Sequence, residues 1–301
     1  MSGGEYIMNH ANIAGLHIEY SIVDTVFFNA RLSRYASCEI ASRDMLMRTT
    51  ILDHIDPPQG ELVKQIKSAT IVQTSDGRIA RSMMDRESGQ VAAIVWSKPD
   101  YSEVDIHLWK HRHHPVFSLT DYEYMYTGFA FNDRLTYLDG AVLHGSALAI
   151  NNEGIIFSAN SGVGKSTHAN LWKQCFKDEV TIVNDDKPAL RFLDGKPYMF
   201  GTPWSGKTDL NTNVQVPLKA IVFIKRANNN AIERLNPRES MFALSSQIER
   251  PYYDSQLGMK TLDVIEQLIS TVPVYRLHCN ISFEAVQVVY DNLFTSGGIT
   301  I

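Results

Sequence analysis

The sequence predicts a mixed α/β protein with an antiparallel, β-rich first half and a second half in which strands alternate with helices. Before residue 140, short runs of alternating apolar and polar residues are separated by turn residues. After residue 140, strand-like apolar runs alternate with helix-like patterns, and a glycine-rich segment ending in Gly164-Lys165-Ser166 lies between a strand and a helix. We therefore expect a β-rich region over 1–139, separate or part of one compact unit, and an α/β domain over 140–301.

Strand and helix patterns follow in order along the first half. Alternation with a period of two predicts strands, with a hairpin turn at residues 75–78. Aromatic and apolar residues at three- and four-residue spacing predict one helix before the boundary. The predicted strands cover residues 17–22, 69–73, 90–96 and 104–109, and the helix covers about 119–138.

The second half has longer apolar runs, typical of strands that are buried on both faces. Gly145 predicts a kink within the first of these strands. The predicted strands cover residues 141–150, 154–158, 180–183, 218–224 and 274–278, and the helices cover 165–176, 239–248, 259–271 and 284–294.

The composition excludes several classes of protein. Of the 301 residues, 44% are hydrophobic and 20% are charged, which excludes collagen-like, disordered and coiled-coil chains. The net charge of −5 makes a nucleic-acid partner unexpected. No stretch approaches the roughly 18 apolar residues that a membrane span needs. The N-terminus lacks a basic region followed by an apolar run, so we expect neither a signal peptide nor a membrane partner.

The three cysteines, Cys38, Cys175 and Cys279, are far apart and form no Cys-x-x-Cys pair. This spacing argues against a disulfide framework and against a structural zinc site. Reduced thiols suit the cytoplasm, where we expect the protein to reside. A homo-oligomer is compatible with the sequence.

Residues 159–166 fit the Walker A pattern, with Ala159 in place of the first glycine. Gly162 and Gly164 would allow backbone amides to converge on a phosphate, and the helix N-terminus adds a partial positive charge. Lys165 would contact the β and γ oxygens, and Ser166 would bind Mg²⁺. The predicted nucleotide-binding residues are Asn160, Ser161, Gly162, Val163, Gly164, Lys165, Ser166 and Thr167.

Two carboxylates, Asp185 and Asp186, follow the strand predicted over 180–183, as in a Walker B element. Because side chains alternate along a strand, the two should point in opposite directions. One could then bind Mg²⁺ while the other accepts the proton of an acceptor hydroxyl. The alternative is a solvated turn with two surface carboxylates. His144 lies among apolar residues, where a histidine is usually a core residue.

The motifs together resemble a known family. Leu143-His144-Gly145-Ser146, the Walker A segment and Asn184-Asp185-Asp186 are similar to the catalytic domain of HPr kinase/phosphorylase, which shares its P-loop fold with the phosphoenolpyruvate carboxykinases. The resemblance covers about residues 140–295. It implies a mixed sheet of that type in the second half.

The resemblance also implies a role for each matching residue. Asp185 would be the general base for the acceptor hydroxyl, and His144 would orient Asp185 by a hydrogen bond. Lys165 would bind the β and γ phosphates. Asp186 and Ser166 would bind Mg²⁺.

The chain departs from the HPr enzymes after the paired carboxylates. It lacks the Glu-Ile-Arg-Gly signature and has Pro203-Trp-Ser-Gly-Lys207 instead, and thereby resembles uncharacterised HPr-kinase-like proteins. Trp204 could provide a stacking surface and Lys207 a cation, for the nucleotide base or for the acceptor. The alternative is a structural turn anchored by Trp204.

These observations predict an ATP- and Mg²⁺-dependent kinase that phosphorylates a hydroxyl. The first candidate acceptor is a serine of a peptide or protein, and the second is a free small molecule. The rival hypothesis is a nucleotide-binding regulatory protein without phosphotransfer. The paired Asp185 and Asp186 with His144 favour the kinase, because a switch needs no base for an acceptor.

Overall fold

The computed structural model describes residues 8–37 and 42–295, which form two compact units. Unit 1 comprises Met1–Leu138 and Pro251–Leu257, and unit 2 comprises Asp139–Arg250 and Gly258–Ile301. Cys38 and the N-terminal residues considered for a signal peptide lie outside the described residues. Cys175 is an exposed free thiol and Cys279 a buried one. None of the helices within the described ranges has the length and apolar character needed to span a membrane.

Unit 1 contains one eight-stranded sheet with two helices. The strand order in the sheet is β1-β2-β3-β8-β7-β6-β5-β4. The elements are β1 (Asn9–Ile13), β2 (Leu16–Ser21), α1 (Thr25–Leu32), β3 (Met45–Leu52), β4 (Glu61–Ile66), β5 (Ala69–Gln73), β6 (Ile79–Met84), β7 (Val91–Ser97), β8 (Glu103–Trp109) and α2 (Leu119–Tyr137).

The sheet of unit 1 is mixed, which corrects the prediction of an antiparallel first half. Strands β4 to β8 do form an antiparallel meander, but β3 pairs in parallel with both β2 and β8. Parallel neighbours require the chain to cross back over the sheet between them. Helix α1 carries the chain from β2 to β3, and the whole meander β4–β7 separates β3 from β8. The alternation along each strand does not reveal such long-range pairing.

The short segment Pro251–Leu257 joins unit 1, although the chain on both sides of it belongs to unit 2. Tyr253 is buried, and the Arg81 guanidinium lies 4.2 Å from the centroid of its ring. The hydroxyl of buried Tyr101 donates to Asp254 Oδ2 at 2.6 Å. An aromatic and charged anchor therefore holds this segment within unit 1.

Unit 2 contains a second mixed sheet, of nine strands, with four helices. The main strand order is β12-β10-β11-β15-β14-β13-β9, and β17 pairs with β15 and with β16. The elements are β9 (Ala141–Val142), β10 (Gly145–Ile150), β11 (Glu153–Ser158), α3 (Lys165–Phe176), β12 (Thr181–Asn184), β13 (Ala189–Leu193), β14 (Lys196–Phe200), β15 (Gln215–Arg226), β16 (Ala231–Arg234), α4 (Pro237–Gln247), α5 (Ser255–Thr271), β17 (Val274–Cys279) and α6 (Phe283–Phe294).

Three parallel strands, β11, β15 and β17, form the centre of the unit 2 sheet. Neighbouring residues of β11 face opposite layers: Ile156 packs in a core with residues of α4 and α5, whereas Ile155 and Phe157 pack with residues of α3 and α6. Burial on both faces explains the continuous apolar runs of this half. Because the three strands are parallel, their carboxyl ends lie at the same edge of the sheet.

The run predicted as a single kinked strand over 141–150 forms two strands, β9 and β10, with Leu143 and His144 between them. Leu143 forms an isolated bridge with Ile248, and the His144 N–H donates to the carbonyl of Gln247 at 2.9 Å. A Cβ at Gly145 would lie 2.7 Å from Ile156 Cγ2, so only glycine fits at the turn into β10. The break places His144 outside both strands.

Buried His168 on α3 should make the stability of the protein sensitive to acid. Burial lowers the pKa of His168 to about 4 from 6.5, and its Nε2 accepts the indole N–H of Trp172 at 3.2 Å. The unfolded chain takes up this proton at a higher pH than the folded chain, so stability falls as the pH drops below 6.5. Between pH 7 and pH 5 we expect this one group to cost about 2 kcal/mol. Urea denaturation at both pH values measures the loss.

The substitution His168→Gln isolates this contribution, because glutamine keeps an acceptor for Trp172 but does not titrate. The variant should lose about 2 kcal/mol less stability than the wild type over the same pH interval. An equal loss in both proteins would show that His168 is not the group responsible.

Candidate active site

The segment 159–164, here called the glycine loop, connects β11 to α3 at the carboxyl edge of the parallel strands. Gly162 has φ of 78° and Gly164 of 122°, values that non-glycine residues rarely adopt. Ala159, by contrast, does not have a positive φ, which explains why alanine is tolerated at that position. Gly164 caps α3 without a side-chain hydrogen bond, so the first amides of the helix are available to an anion.

Lys165, the first residue of α3, points back beneath the glycine loop. Only 8% of the residue is exposed, and its Nζ donates to the carbonyl of Ala159 at 3.0 Å and to His144 Nε2 at 2.8 Å. Burial lowers the pKa of Lys165, while the charges of Asp186 and Asp185 act in the opposite direction. The hydrogen-bond partners of the amine are thus His144 and the Ala159 carbonyl, and the two carboxylates act on it by their charge.

His144 joins Lys165 to Asp186. Because an ammonium group can only donate, Nε2 of His144 is the acceptor and Nδ1 carries the ring proton. Nδ1 lies 3.4 Å from Asp186 Oδ1. Burial, followed by the charge of Lys165, lowers the pKa of His144, so the ring is neutral near pH 7. Lys165, His144 and Asp186 thus form a connected chain of three polar side chains.

The partner of His144 differs from the one that the resemblance implied. The hydrogen bond from His144 to Asp185 is not present; the ring faces Asp186 instead. Asp185 Oδ1 accepts the hydroxyl proton of Ser146 on the neighbouring strand β10, and Asp185 is 7% exposed. The two carboxylates have different partners, and the break between β9 and β10 determines which of them His144 reaches.

Asn184 holds the turn that carries both carboxylates, a role that the sequence analysis missed. Its Oδ1 accepts the N–H groups of Asp186 and Lys187 at 2.9 and 2.6 Å. Its Nδ2 donates to the carbonyl of Thr202 at 2.8 Å, and the side chain is fully buried. Asparagine at the end of a strand is a known signal for a side-chain turn and could have revealed this role.

Gln247, at the end of α4, is a second residue that the sequence analysis missed. Its Nε2 donates to Asn160 Oδ1 in the glycine loop at 2.9 Å, while its carbonyl accepts the His144 N–H. One residue therefore links the glycine loop to the histidine. Nothing in the local sequence around position 247 indicates this contact.

The loop 201–209 packs against Asp186 through Gly206. Gly206 has φ of 68°, and a Cβ there would lie 3.0 Å from Asp186 Cβ and 3.1 Å from its Cγ. Trp204 is only 4% exposed, so its ring is packed inside the unit and is not a stacking surface. This burial favours the structural anchor over the ligand-stacking role. Lys207, next to Gly206, is exposed.

Arg226, the last residue of β15, holds the glycine loop from outside. Its Nε donates to the carbonyl of Val163 at 2.9 Å, and its Nη2 donates to the carbonyl of Gly162. Both carbonyls therefore point towards the arginine side of the loop. No motif in the sequence singles out Arg226 for this contact.

Removing this guanidinium in Arg226→Gln should loosen the glycine loop. We expect amide exchange at Val163, whose N–H donates to the Asn160 carbonyl, to accelerate about 10-fold. Hydrogen–deuterium exchange followed by mass spectrometry measures the rate in peptides that cover the loop. Arg234→Gln removes the same charge from β16 and should leave the loop unchanged. Equal exchange in the wild type and Arg226→Gln would exclude the clamp.

Three residues proposed for the site carry oxygen donors of the kind that binds a hard cation. Mg²⁺ in phosphoryl-transfer sites is held by one or two carboxylates together with substrate phosphates. Asp185, Asp186 and the Ser166 hydroxyl are donors of this type. Among the described residues, no group of three His, Cys, Asp or Glu side chains is arranged to hold a metal ion.

Comparison with solved structures finds a distant similarity. The chain is similar to a solved structure of the Hpr(Ser) kinase/phosphatase from Coxiella burnetii, with 12% sequence identity and a TM-score of 0.31. The match covers 52% of this chain and 99% of that chain. No family model matches the chain, and no curated protein matches its sequence. At this distance the comparison assigns neither a family nor a reaction.

Proposed function

We propose that the protein is a kinase that transfers the γ-phosphoryl group of ATP to a hydroxyl group. The observation that carries the proposal is the chain of contacts from Lys165 through His144 to Asp186, directly below the glycine loop. A phosphate-binding loop alone would serve a switch as well as an enzyme. A carboxylate oriented by a neutral histidine at the same place provides a base for an acceptor hydroxyl.

The glycine loop would bind the triphosphate through its backbone amides and the N-terminus of α3. Lys165 Nζ uses two of its protons on Ala159 and His144, which leaves one for a phosphate oxygen. As charge develops on the transferred group, the ammonium would stabilise it. Lys165 therefore contributes to both binding and transfer.

Asp186 is our candidate for the general base, in place of Asp185. His144 Nδ1 lies 3.4 Å from Asp186 Oδ1, and closing this contact to a hydrogen bond when the acceptor binds would keep the carboxylate ionised and oriented towards the acceptor. Asp185 and Ser166 would then hold Mg²⁺, which neutralises charge on the β and γ oxygens. This exchanges the roles that the family resemblance implied for the two carboxylates.

The candidate acceptors remain a serine of a peptide or protein and a free small molecule. Exposed Lys207 lies next to Gly206, whose Cα approaches Asp186, and could contact an anionic group of the acceptor. Both acceptor classes present a hydroxyl, so the base serves either of them.

Transfer from γ-labelled ATP tests the proposal. Purified protein with Mg²⁺ is incubated with an extract of the cells that make it, separated into protein, peptide and small-molecule fractions. We expect label in one fraction, lost with Lys165→Ala and with Asp186→Asn. Lys196→Ala, which removes an exposed lysine from the first position of β14, is the matched control and should retain transfer.

Binding of ATP without labelling of any fraction would contradict the kinase. If Asp186→Asn then bound ATP as tightly as the wild type, the regulatory nucleotide-binding protein would be the better account. Label confined to the small-molecule fraction would support a kinase of a free metabolite.

A further inference from the structure

A cavity of about 440 Å³ opens beside the glycine loop, at the carboxyl ends of β11, β15 and β17. Its volume lies within the range of small-molecule sites. In open α/β sheets, ligands bind outside the carboxyl ends of the strands. The cavity walls are mostly apolar, formed by Val163, Leu171, Ile224, Ala227, Cys279 and Ile281.

The polar side chains in this wall are largely occupied by other partners. Asn280 Nδ2 donates to the carbonyl of Asn228 at 2.9 Å, and its Oδ1 accepts the Ser282 hydroxyl proton at 2.6 Å. His168 Nε2 accepts from Trp172, and Arg226 is engaged with two carbonyls of the glycine loop. A ligand would therefore contact mainly apolar surface, and few side chains are available to hydrogen-bond the edge of an aromatic ring.

Val163 and Gly164 belong both to the glycine loop and to the wall of the cavity. A nucleotide whose triphosphate lies on the loop can therefore extend its base into this cavity. The exposed side chain of Ile281, 77% accessible, forms part of the rim. A planar, aromatic base is the part of a nucleotide that gains most from such walls.

We infer that this cavity binds the nucleobase of the triphosphate and holds it by apolar contact, so that the affinities for ATP and GTP differ by less than about 200-fold. The inference rests on the proposed function and extends it to the choice of nucleotide. A hydrophobic pocket discriminates between related ligands by about 10- to 200-fold, whereas a site that hydrogen-bonds a group rejects analogues by about 10⁴-fold or more.

Calorimetry with the full-length protein and Mg²⁺ compares ATP, GTP and inorganic tripolyphosphate. We expect ATP to bind at least about 10-fold more tightly than tripolyphosphate, and GTP to bind within about 200-fold of ATP. Discrimination against GTP beyond about 200-fold would overturn the inference, as would equal affinity for ATP and tripolyphosphate. Binding of neither ATP nor tripolyphosphate would instead defeat the proposed function itself.

Ala227→Trp fills the cavity and should weaken ATP binding at least about 10-fold, with tripolyphosphate affinity changed less than about 2-fold. Ala231→Trp adds the same ring at an exposed position of β16 outside the cavity and should change neither affinity. An Ala227→Trp protein that binds ATP like the wild type would overturn the inference.

If Ala227→Trp also weakens tripolyphosphate binding, the added ring has disturbed the fold. A second variant then tests whether the cavity binds the nucleobase. Ile281→Ser alters an exposed rim residue and should selectively weaken ATP. Phe283→Ser, another exposed apolar residue outside the cavity, is its control. Equal effects of the two substitutions on ATP affinity would overturn the inference.

Discussion

Asp186→Asn is expected to lower kcat for phosphoryl transfer about 10³-fold while leaving ATP affinity nearly unchanged. The amide keeps the shape of the side chain but cannot accept the proton of the acceptor hydroxyl, and base catalysis contributes about 10² to 10⁴ in rate. The contact between Asp186 Oδ1 and His144 Nδ1 at 3.4 Å is the reason for choosing this carboxylate. Single-turnover transfer from labelled ATP separates the chemical step from binding.

Asp185→Asn serves as the matched comparison, because the same change is made one residue away. Its oxygen can still accept the Ser146 hydroxyl proton, so the fold should be retained. We expect a higher Mg²⁺ requirement, with much of kcat recovered at high Mg²⁺ concentration. The opposite outcome, a loss with Asp185→Asn that Mg²⁺ does not rescue and a rescued Asp186→Asn, would restore the assignment that the family resemblance implied.

Gly206→Ala is expected to slow transfer about 10-fold with little change in ATP affinity. The new Cβ would lie 3.0 Å from Asp186 Cβ and 3.1 Å from Cγ, so the carboxylate has to move. A displacement of about 1 Å at a reacting group can cost about 10²-fold in rate, so the shift of a few tenths of an ångström required here should cost about 10-fold. Measurement of kcat and KM for ATP in the purified variant tests this expectation.

Gly195→Ala controls for backbone strain, because Gly195 also has a left-handed φ, of 74°, but open space around its Cα. Both substitutions should therefore lose a similar amount of stability, on the order of 1 kcal/mol. Only Gly206→Ala should slow transfer. A similar effect of both substitutions on kcat would show that strain is responsible and that contact with Asp186 is not.

The elements with local signals were predicted well. The helix expected over 165–176 is α3, Lys165–Phe176, because the glycines before it and the apolar spacing within it are adjacent in the chain. The strand over 69–73 is β5. The hairpin of β13 and β14 was missed, although Asp194-Gly195 between two strand-like runs is a turn signal.

The sequence proposed the residues of the candidate site, whereas their contacts come from the structure. Lys165 contacts His144, His144 lies 3.4 Å from Asp186, and Asp185 contacts Ser146. Their pairing depends on Leu143 bridging to Ile248 and on Ser146 reaching Asp185, both of which join distant parts of the chain. Alternation along one strand predicts which face of the sheet a side chain is on, but not which residues of other elements pack against it.

By itself the sequence determined the position of the glycine loop, the helix that follows it and the types of side chain available for chemistry. These depend on backbone preferences and apolar spacing within a few residues. Only the tertiary structure decided that His144 faces Asp186, that Trp204 is buried and that Gly206 abuts the carboxylate. Such contacts depend on which strands and loops pack side by side, and packing joins residues far apart in the chain.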